Sequence, residues 1–210
     1  MKEKIIDKAS ELFLSFGFKS VTMDDIAREL SISKKTIYEC FDNKTALVRS
    51  VTESIYGIVI RGIDDICQKQ LNPIEELYEI KKFVSIQLKD EKSSPQFQLQ
   101  KYYPEVFQQI KGHNFELIHD ITVNNLRRGV KQGLYRENVN IEFVARIYFI
   151  GMTGIKDDTI FPLPEFPKIN LIEAYLDYHL RGIVTKQGLA VLKKYTDHNK
   201  SWKSSSLYFF

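Results

Sequence analysis

The chain has 210 residues, 43% hydrophobic and 27% charged, a composition that suits one or two globular domains and excludes disordered and collagen-like chains. A net charge of +3, from 30 basic and 27 acidic residues, excludes a polycation, so any nucleic-acid binding has to come from a local patch. Cys40 and Cys67 make neither a disulfide framework nor a metal motif, the four histidines (His113, His119, His179, His198) lack the i, i+4 pairing of a zinc helix, and no apolar run approaches the ~20 residues of a membrane span.

Helical periodicity dominates from the start. Ile5, Ile6, Ala9, Leu12, Phe13 and Phe16 form one apolar stripe on a helix over residues 3–16. Lys2, Glu3, Lys4, Asp7 and Lys8 interleave with it, unlike a secretory leader, so a cytoplasmic location is expected. Gly17 is a natural stop. Thr22 and Asp25 make a capping box that opens a second helix, with Ile26, Ala27 and Leu30 on its apolar face. Ser31-Ile32-Ser33 is a turn, and Ser33 caps a third helix over 34–41 that turns Ile37 and Phe41 inward. Asn43 caps a long fourth helix with the stripe Leu47, Val51, Ile55, Ile58, Ile66.

Asn72-Pro73 breaks the chain and starts a helix over about 73–89. Residues 92–95 read as a loop, and Pro104 begins a long helix ending near Gly133. Asn140 caps a helix running to about Lys156. The proline-rich stretch 161–167 is a loop. Asn170 and Glu173 then open a last long helix over 171–197. Residues 201–210, with Trp202 and three terminal aromatics, leave the helical pattern and read as an appended sequence or a docking tail.

Residues 22–41 carry the functional signal. Two short helices joined by a three-residue turn describe a helix-turn-helix, with small Ala27 at the crossing. The second helix sends Lys34, Lys35, Thr36, Tyr38 and Glu39 outward, and a helix of this kind fits the DNA major groove. Charge agrees with this: residues 22–30 sum to −2, while 31–49 sum to +2 through Lys34, Lys35, Lys44 and Arg49 against Glu39 and Asp42. Lys44 and Thr22 each mark a helix start, where free N–H groups attract phosphate. Glu39 has two equal readings, base contact or an i, i+4 pair with Lys35.

Phe13-Leu14-Ser15-Phe16-Gly17-Phe18, then Val21-Thr22-Met23-Asp24-Asp25-Ile26-Ala27, then Ile32-Ser33-Lys34-Lys35-Thr36-Ile37-Tyr38 with Phe41 and Lys44, resembles the tetracycline-repressor-like (TetR) family of bacterial transcription regulators. The match is dense over residues 5–50; beyond them only the all-helical layout is similar. The resemblance implies an all-α fold, with a three-helix DNA-binding domain at 1–46 and a helical ligand-binding and dimerisation bundle at 47–200. It implies a homodimer on a palindromic double-stranded operator, released by a small-molecule effector. It also implies phosphate contacts from Thr22, Tyr38 and Lys44, and base or groove contacts from Lys34, Lys35, Thr36 and Glu39. With the cap Ser33, these are the candidate DNA-binding residues. Two positions depart from the family pattern: Ser31 stands where glycine is usual, and Cys40 where an aromatic or histidine is frequent.

Beyond residue 70 the chain is rich in aromatics, which line apolar ligand cavities as readily as they fill cores. Phe83, Tyr102, Tyr103, Phe107, His119, Tyr148, Phe149 and Met152 are the candidate ligand-binding residues, and they suit an apolar or aromatic effector. His119, Thr122, Asn125 and Thr153 are polar positions on apolar faces, which read first as satisfied core residues. The helix from residue 141 is apolar on nearly every side, so a second subunit is expected to cover one side. Phe143, Ile147, Ile150, Gly151, Leu176, Leu180 and Ile183 are the candidate dimer interface, with Gly151 and Gly154 admitting a partner helix. The expected function is a ligand-responsive repressor without cofactor, metal or membrane partner. The alternative is a helical small-molecule sensor or carrier that acts through proteins. An enzyme is disfavoured, since no catalytic constellation emerges.

Overall fold

A computed structural model describes residues 1–87, 95–157, 159–162 and 165–196. Among the described residues ten helices run in the order α1 (Lys2–Phe16), α2 (Met23–Glu29), α3 (Lys34–Tyr38), α4 (Lys44–Gln68), α5 (Pro73–Gln87), α6 (Pro95–Tyr102), α7 (Pro104–Lys131), α8 (Ile141–Gly154), α9 (Lys168–Arg181) and α10 (Lys186–Thr196). Among the described residues there is no strand, so the fold is all-α as expected. One isolated bridge pairs Tyr135 with Val184.

The expected caps are in place. Thr22 Oγ1 accepts from the Asp25 N–H at 3.1 Å while Asp25 Oδ2 accepts from the Thr22 N–H at 2.9 Å. Ser33 Oγ accepts from the Thr36 N–H, Asn43 Oδ1 from Ala46 and Asn140 Oδ1 from Phe143, at 2.9–3.1 Å. Each satisfies an amide that the first turn of a helix leaves open.

The chain packs as two compact units. The first joins Met1–Asp65 to Phe83–Phe115, and the second joins Ile66–Lys82 to the described residues from Glu116 onward. This grouping does not divide at 46/47: most of α4, α6 and the start of α7 pack with the three N-terminal helices. The core of the first unit is Ile5, Ala9 and Phe13 of α1, Ile26 and Ala27 of α2, Ile37 and Phe41, and Leu47, Val48 and Val51 of α4, completed by Leu99 and Val106. The core of the second is built from Leu77, Leu126, Tyr135, Ala145, Leu176, Leu180 and Leu192.

Three expectations need correction. The third helix ends at Tyr38, not 41, because a turn at Glu39–Cys40 carries Phe41 back into the core, where it is 4% exposed. An additional helix, α6, precedes Pro104. The last long helix is two helices, and its expected cap at Asn170 lies inside α9, whose first residue follows Pro167. The break at Gly182–Thr185 is held from outside. The Arg136 N–H donates to Ile183 O and the Thr185 N–H to Leu134 O, both at 2.9 Å, and Thr185 Oγ1 caps α10 by accepting from the Gly188 N–H at 3.1 Å. The 201–210 tail lies outside the described residues.

Candidate nucleic-acid interface

Ser31 turns the chain between α2 and α3 with φ at 54°, in the left-handed region. Its N–H donates to Arg28 O and the Ile32 N–H to Ala27 O, both at 3.0 Å, which closes the turn. The turn sets α3 so that Ile37 is fully buried in the core shared by α1, α2 and α4. Lys34, Lys35, Tyr38 and Glu39 then project outward, with Tyr38 44% exposed. A single buried side chain thus anchors a helix whose remaining faces are polar. Ser33 is spent as the cap and lies 2.8 Å from Thr36 Oγ1, so these two hydroxyls hold each other.

Charge on this surface is paired in specific ways. Lys34 Nζ meets Asp24 Oδ2 at 2.8 Å across the turn, and this hydrogen bond raises the Lys34 pKa. This pair is exposed on both sides and can be exchanged for a phosphate. The Asp25 carboxyl is held below its ordinary pKa, first by the Thr22 hydroxyl and amide, then by Arg28 at 3.1 Å. Thr22 therefore spends its hydroxyl and its amide on Asp25. Lys44 Nζ donates to the Lys19 carbonyl at 3.3 Å and lies 5.9 Å from the centre of the Phe13 ring. Burial lowers its pKa, and the charge of Asp25 partly opposes that. The structure thus places Lys34, Lys35, Thr36 and Tyr38 on α3, Ser33 and Glu39 at its two caps, and Thr22 and Lys44 at the starts of α2 and α4. Lys35 and Tyr38 of α3 and its C-cap Glu39 are exposed and not drawn into the network around Ser33 and Asp24.

The first unit also contains α6, over residues that the apolar pattern leaves unassigned. Gln98 Oε1 accepts from the Lys19 N–H at 3.0 Å, and a Cβ at Gly17 (φ 85°) would come within 2.3 Å of the Gln98 amide. The ring of Tyr102 carries Lys19 Nζ at 5.0 Å and Lys101 Nζ at 5.6 Å. The signal available was a proline at the first position of the helix and another just past its end.

The candidate ligand residues divide between the units. In the first unit, Tyr103 and Phe107 pack on the N-terminal core, and Tyr103 meets Phe18 edge-on at 6.4 Å. Phe83 lies where a Cβ on Gly62 would sit, and Tyr102 belongs to the lysine cluster. In the second unit, Tyr148 packs on His179 at 4.9 Å, Phe149 is 8% exposed, and Met152 packs on the core. His119 bridges α7 and α8 through Glu142 at 3.0 Å and also meets Asp120 at 3.3 Å. A cleft of about 170 Å³ between α1 and α4 is lined by Asp7, Ser10, Glu11, Leu14, Ser54, Ile55 and Ile58, and by none of the candidate residues.

The candidate dimer residues also divide. Phe143, Ile147 and Ile150 are 60%, 41% and 60% exposed at helical spacing on α8. Leu176, Leu180 and Ile183 are at most 5% exposed, because α9 and the turn after it direct them into the core of their own unit. Gly151 serves its own chain as well: a Cβ there would strike the Tyr175 ring at 2.0 Å, and Tyr175 Oη donates to Ile147 O at 2.8 Å. Among the described residues, its own helix backbone and chain neighbours aside, nothing lies within 4 Å of a Cβ on Gly154. No helix of the described residues is long and apolar enough to cross a membrane.

Residues 5–51 match the family described as bacterial regulatory proteins, tetR family. The biofilm operon icaADBC HTH-type negative transcriptional regulator IcaR of Staphylococcus epidermidis is 38% identical over 69 residues, which cover 31% of this chain and 37% of that protein. The chain therefore matches well under half the length of this curated relative. A transcriptional regulator from Cytophaga hutchinsonii shares the fold at a TM-score of 0.71 and 18% identity, over 87% of this chain and 98% of that one. SmeT, the repressor of the Stenotrophomonas maltophilia multidrug efflux pump SmeDEF, does so at 0.64 and 19%, over 89% and 91%. SmeT has also been solved as a complex with triclosan.

Proposed function

We propose that this chain, which belongs through its residues 5–51 to the tetR family of bacterial regulatory proteins, is a cytoplasmic, ligand-responsive repressor that binds operator DNA as a homodimer. The observation that carries the reading is α3. It buries Ile37 completely and leaves Lys34, Lys35, Tyr38 and Glu39 outside, an arrangement that presents donors and an aromatic to a major groove. Domain roles follow the sequence reading, with DNA binding in the N-terminal helices and ligand binding and dimerisation in the helices after residue 46.

In the dimer two copies of α3 sit about one helical turn of DNA apart, roughly 34–36 Å, and read two half-sites. An apolar or aromatic effector binds the C-terminal helices and favours a conformation in which that spacing is lost. It does so only through tighter binding to the DNA-free form. α4 carries the change, since it begins at Lys44 beside α3 and continues into the second unit.

The test is a gel shift with DNA from upstream of the protein's own gene. Tyr38→Ala and Lys44→Ala are each expected to weaken binding at least tenfold, about 1.4 kcal/mol, while gel filtration still finds a folded dimer. Undiminished binding by both variants removes the contact assignment. A wild-type protein that binds no duplex, but melts higher with an apolar ligand, would be the small-molecule carrier instead.

A further inference from the structure

A second group of cations gathers at the loop between α1 and α2, and one of its lysines comes from a helix outside the family-matched segment. Lys19 and Lys101 bring their ammonium groups to one ring, that of Tyr102, at 5.0 and 5.6 Å. Both lysines and the ring are exposed. The Lys19 carbonyl receives the Lys44 ammonium at 3.3 Å, so three cations surround one loop. Among the described residues neither Lys19 nor Lys44 has a carboxylate at ion-pair distance. Glu105, in the first turn of α7, is the nearest acid in sequence to Lys101. Clustered like charges repel one another, and a polyanion relieves that repulsion.

The backbone beneath the cluster is anchored. The Lys19 backbone is fixed to Gln98 of α6 at 3.0 Å, and Leu99 of the same helix is in the core of this unit. A polyanion gains more from cations already held in place than from free side chains, because less freedom is lost on binding.

We infer that Lys19 and Lys101, supported by Tyr102, contact the phosphate backbone of DNA just outside the half-site read by α3. The inference rests on the proposed function. The loop bearing Lys19 leads into the capping residue Thr22 of α2, and Lys44 at the start of α4 donates to that loop, so the patch is continuous with two residues of the proposed interface. Ammonium groups presented from a loop and the end of α6, without a groove-filling helix, contact phosphates and not base edges. They set position and affinity without reading sequence.

The test uses full-length protein and a duplex it selects from a random pool, made as the bare site and as the site extended by about 5 base pairs at each end. Fluorescence anisotropy is followed against salt. K19A/K101A is expected to lower the slope of log affinity against log salt by about 2 and to weaken binding roughly tenfold, on the extended duplex only and alike for all sequences. K19R/K101R is expected to keep the wild-type slope. A wild-type slope in K19A/K101A, or an equal loss on the bare site, overturns the inference. Failure of the wild-type protein to bind any duplex is a different result, and it removes the proposed function together with this contact.

Discussion

Ser31 holds its backbone at φ 54°, where a Cβ crowds the following carbonyl and glycine does not. Ser31→Gly is therefore expected to raise stability by up to about 1 kcal/mol, the relief of strain being partly offset by a freer unfolded chain. Urea unfolding measures this, and an unchanged midpoint means that the turn is not strained. His179 sets a second limit on stability. It is 8% exposed, lies between Tyr148 and Tyr175, and burial pushes its pKa down to about 4 from the usual 6.5. The unfolded chain therefore binds more protons than the fold between pH 6.5 and 4. Stability from this residue is complete above pH 6.5 and falls as the pH drops through that window, by up to about 3 kcal/mol. His179→Asn is expected to flatten the loss, read from denaturation midpoints at stepped pH. Other single residues were legible from their neighbours in sequence. Thr122 and Thr153 donate to the carbonyls of Ile118 and Phe149 one turn back. Asn125 is satisfied only by distant groups: it donates to Pro73 O and Glu76 Oε1 at 2.8 Å and accepts from Tyr135 Oη at 3.0 Å.

At the level of elements, helix starts are readable because a cap acts over three residues, and Thr22, Ser33, Asn43 and Asn140 all perform as their sequence context indicates. Helix ends and breaks are less so. The apolar spacing of Ile172, Leu176, His179, Leu180 and Ile183 runs on toward α10, yet the chain turns at Gly182. What stops it is the bridge to Tyr135, some 50 residues away in sequence. Close approach of elements is likewise invisible in a local pattern. The ring of Tyr135 packs on α7 at Gly129, where an added Cβ would meet ring atoms at 2.0 and 2.3 Å. Because Tyr135 is fully buried and its hydroxyl is tied to Asn125, the ring has little room to yield. Gly129→Ala is therefore expected to cost about 1–3 kcal/mol, even though alanine is the better helix former. A thermal melt showing an unchanged or higher midpoint contradicts the packing described.

For the whole molecule, the open question in the sequence was which face of α8 meets a partner. Phe143, Ile147 and Ile150 stay exposed, and Tyr178 on α9 is 77% exposed. These residues, not Leu176, Leu180 and Ile183, are available to the proposed homodimer. Ile150→Glu is expected to give a monomer by light scattering, with stability changed by less than about 0.5 kcal/mol. Leu180→Ala, by contrast, is expected to cost about 2–5 kcal/mol as a core cavity. A dimer that survives Ile150→Glu places the interface elsewhere. Periodicity, caps and the motif of residues 5–50 were enough for the helical class, the helix-turn-helix and its outward side chains, because those depend on residues a few positions apart. The tertiary structure alone decided that α6 supports the reading head, that the last helix is broken, and which apolar residues fill a core or remain on the surface. Each depends on contacts between segments far apart in sequence, and an apolar stripe shows that a face must be covered without showing what covers it.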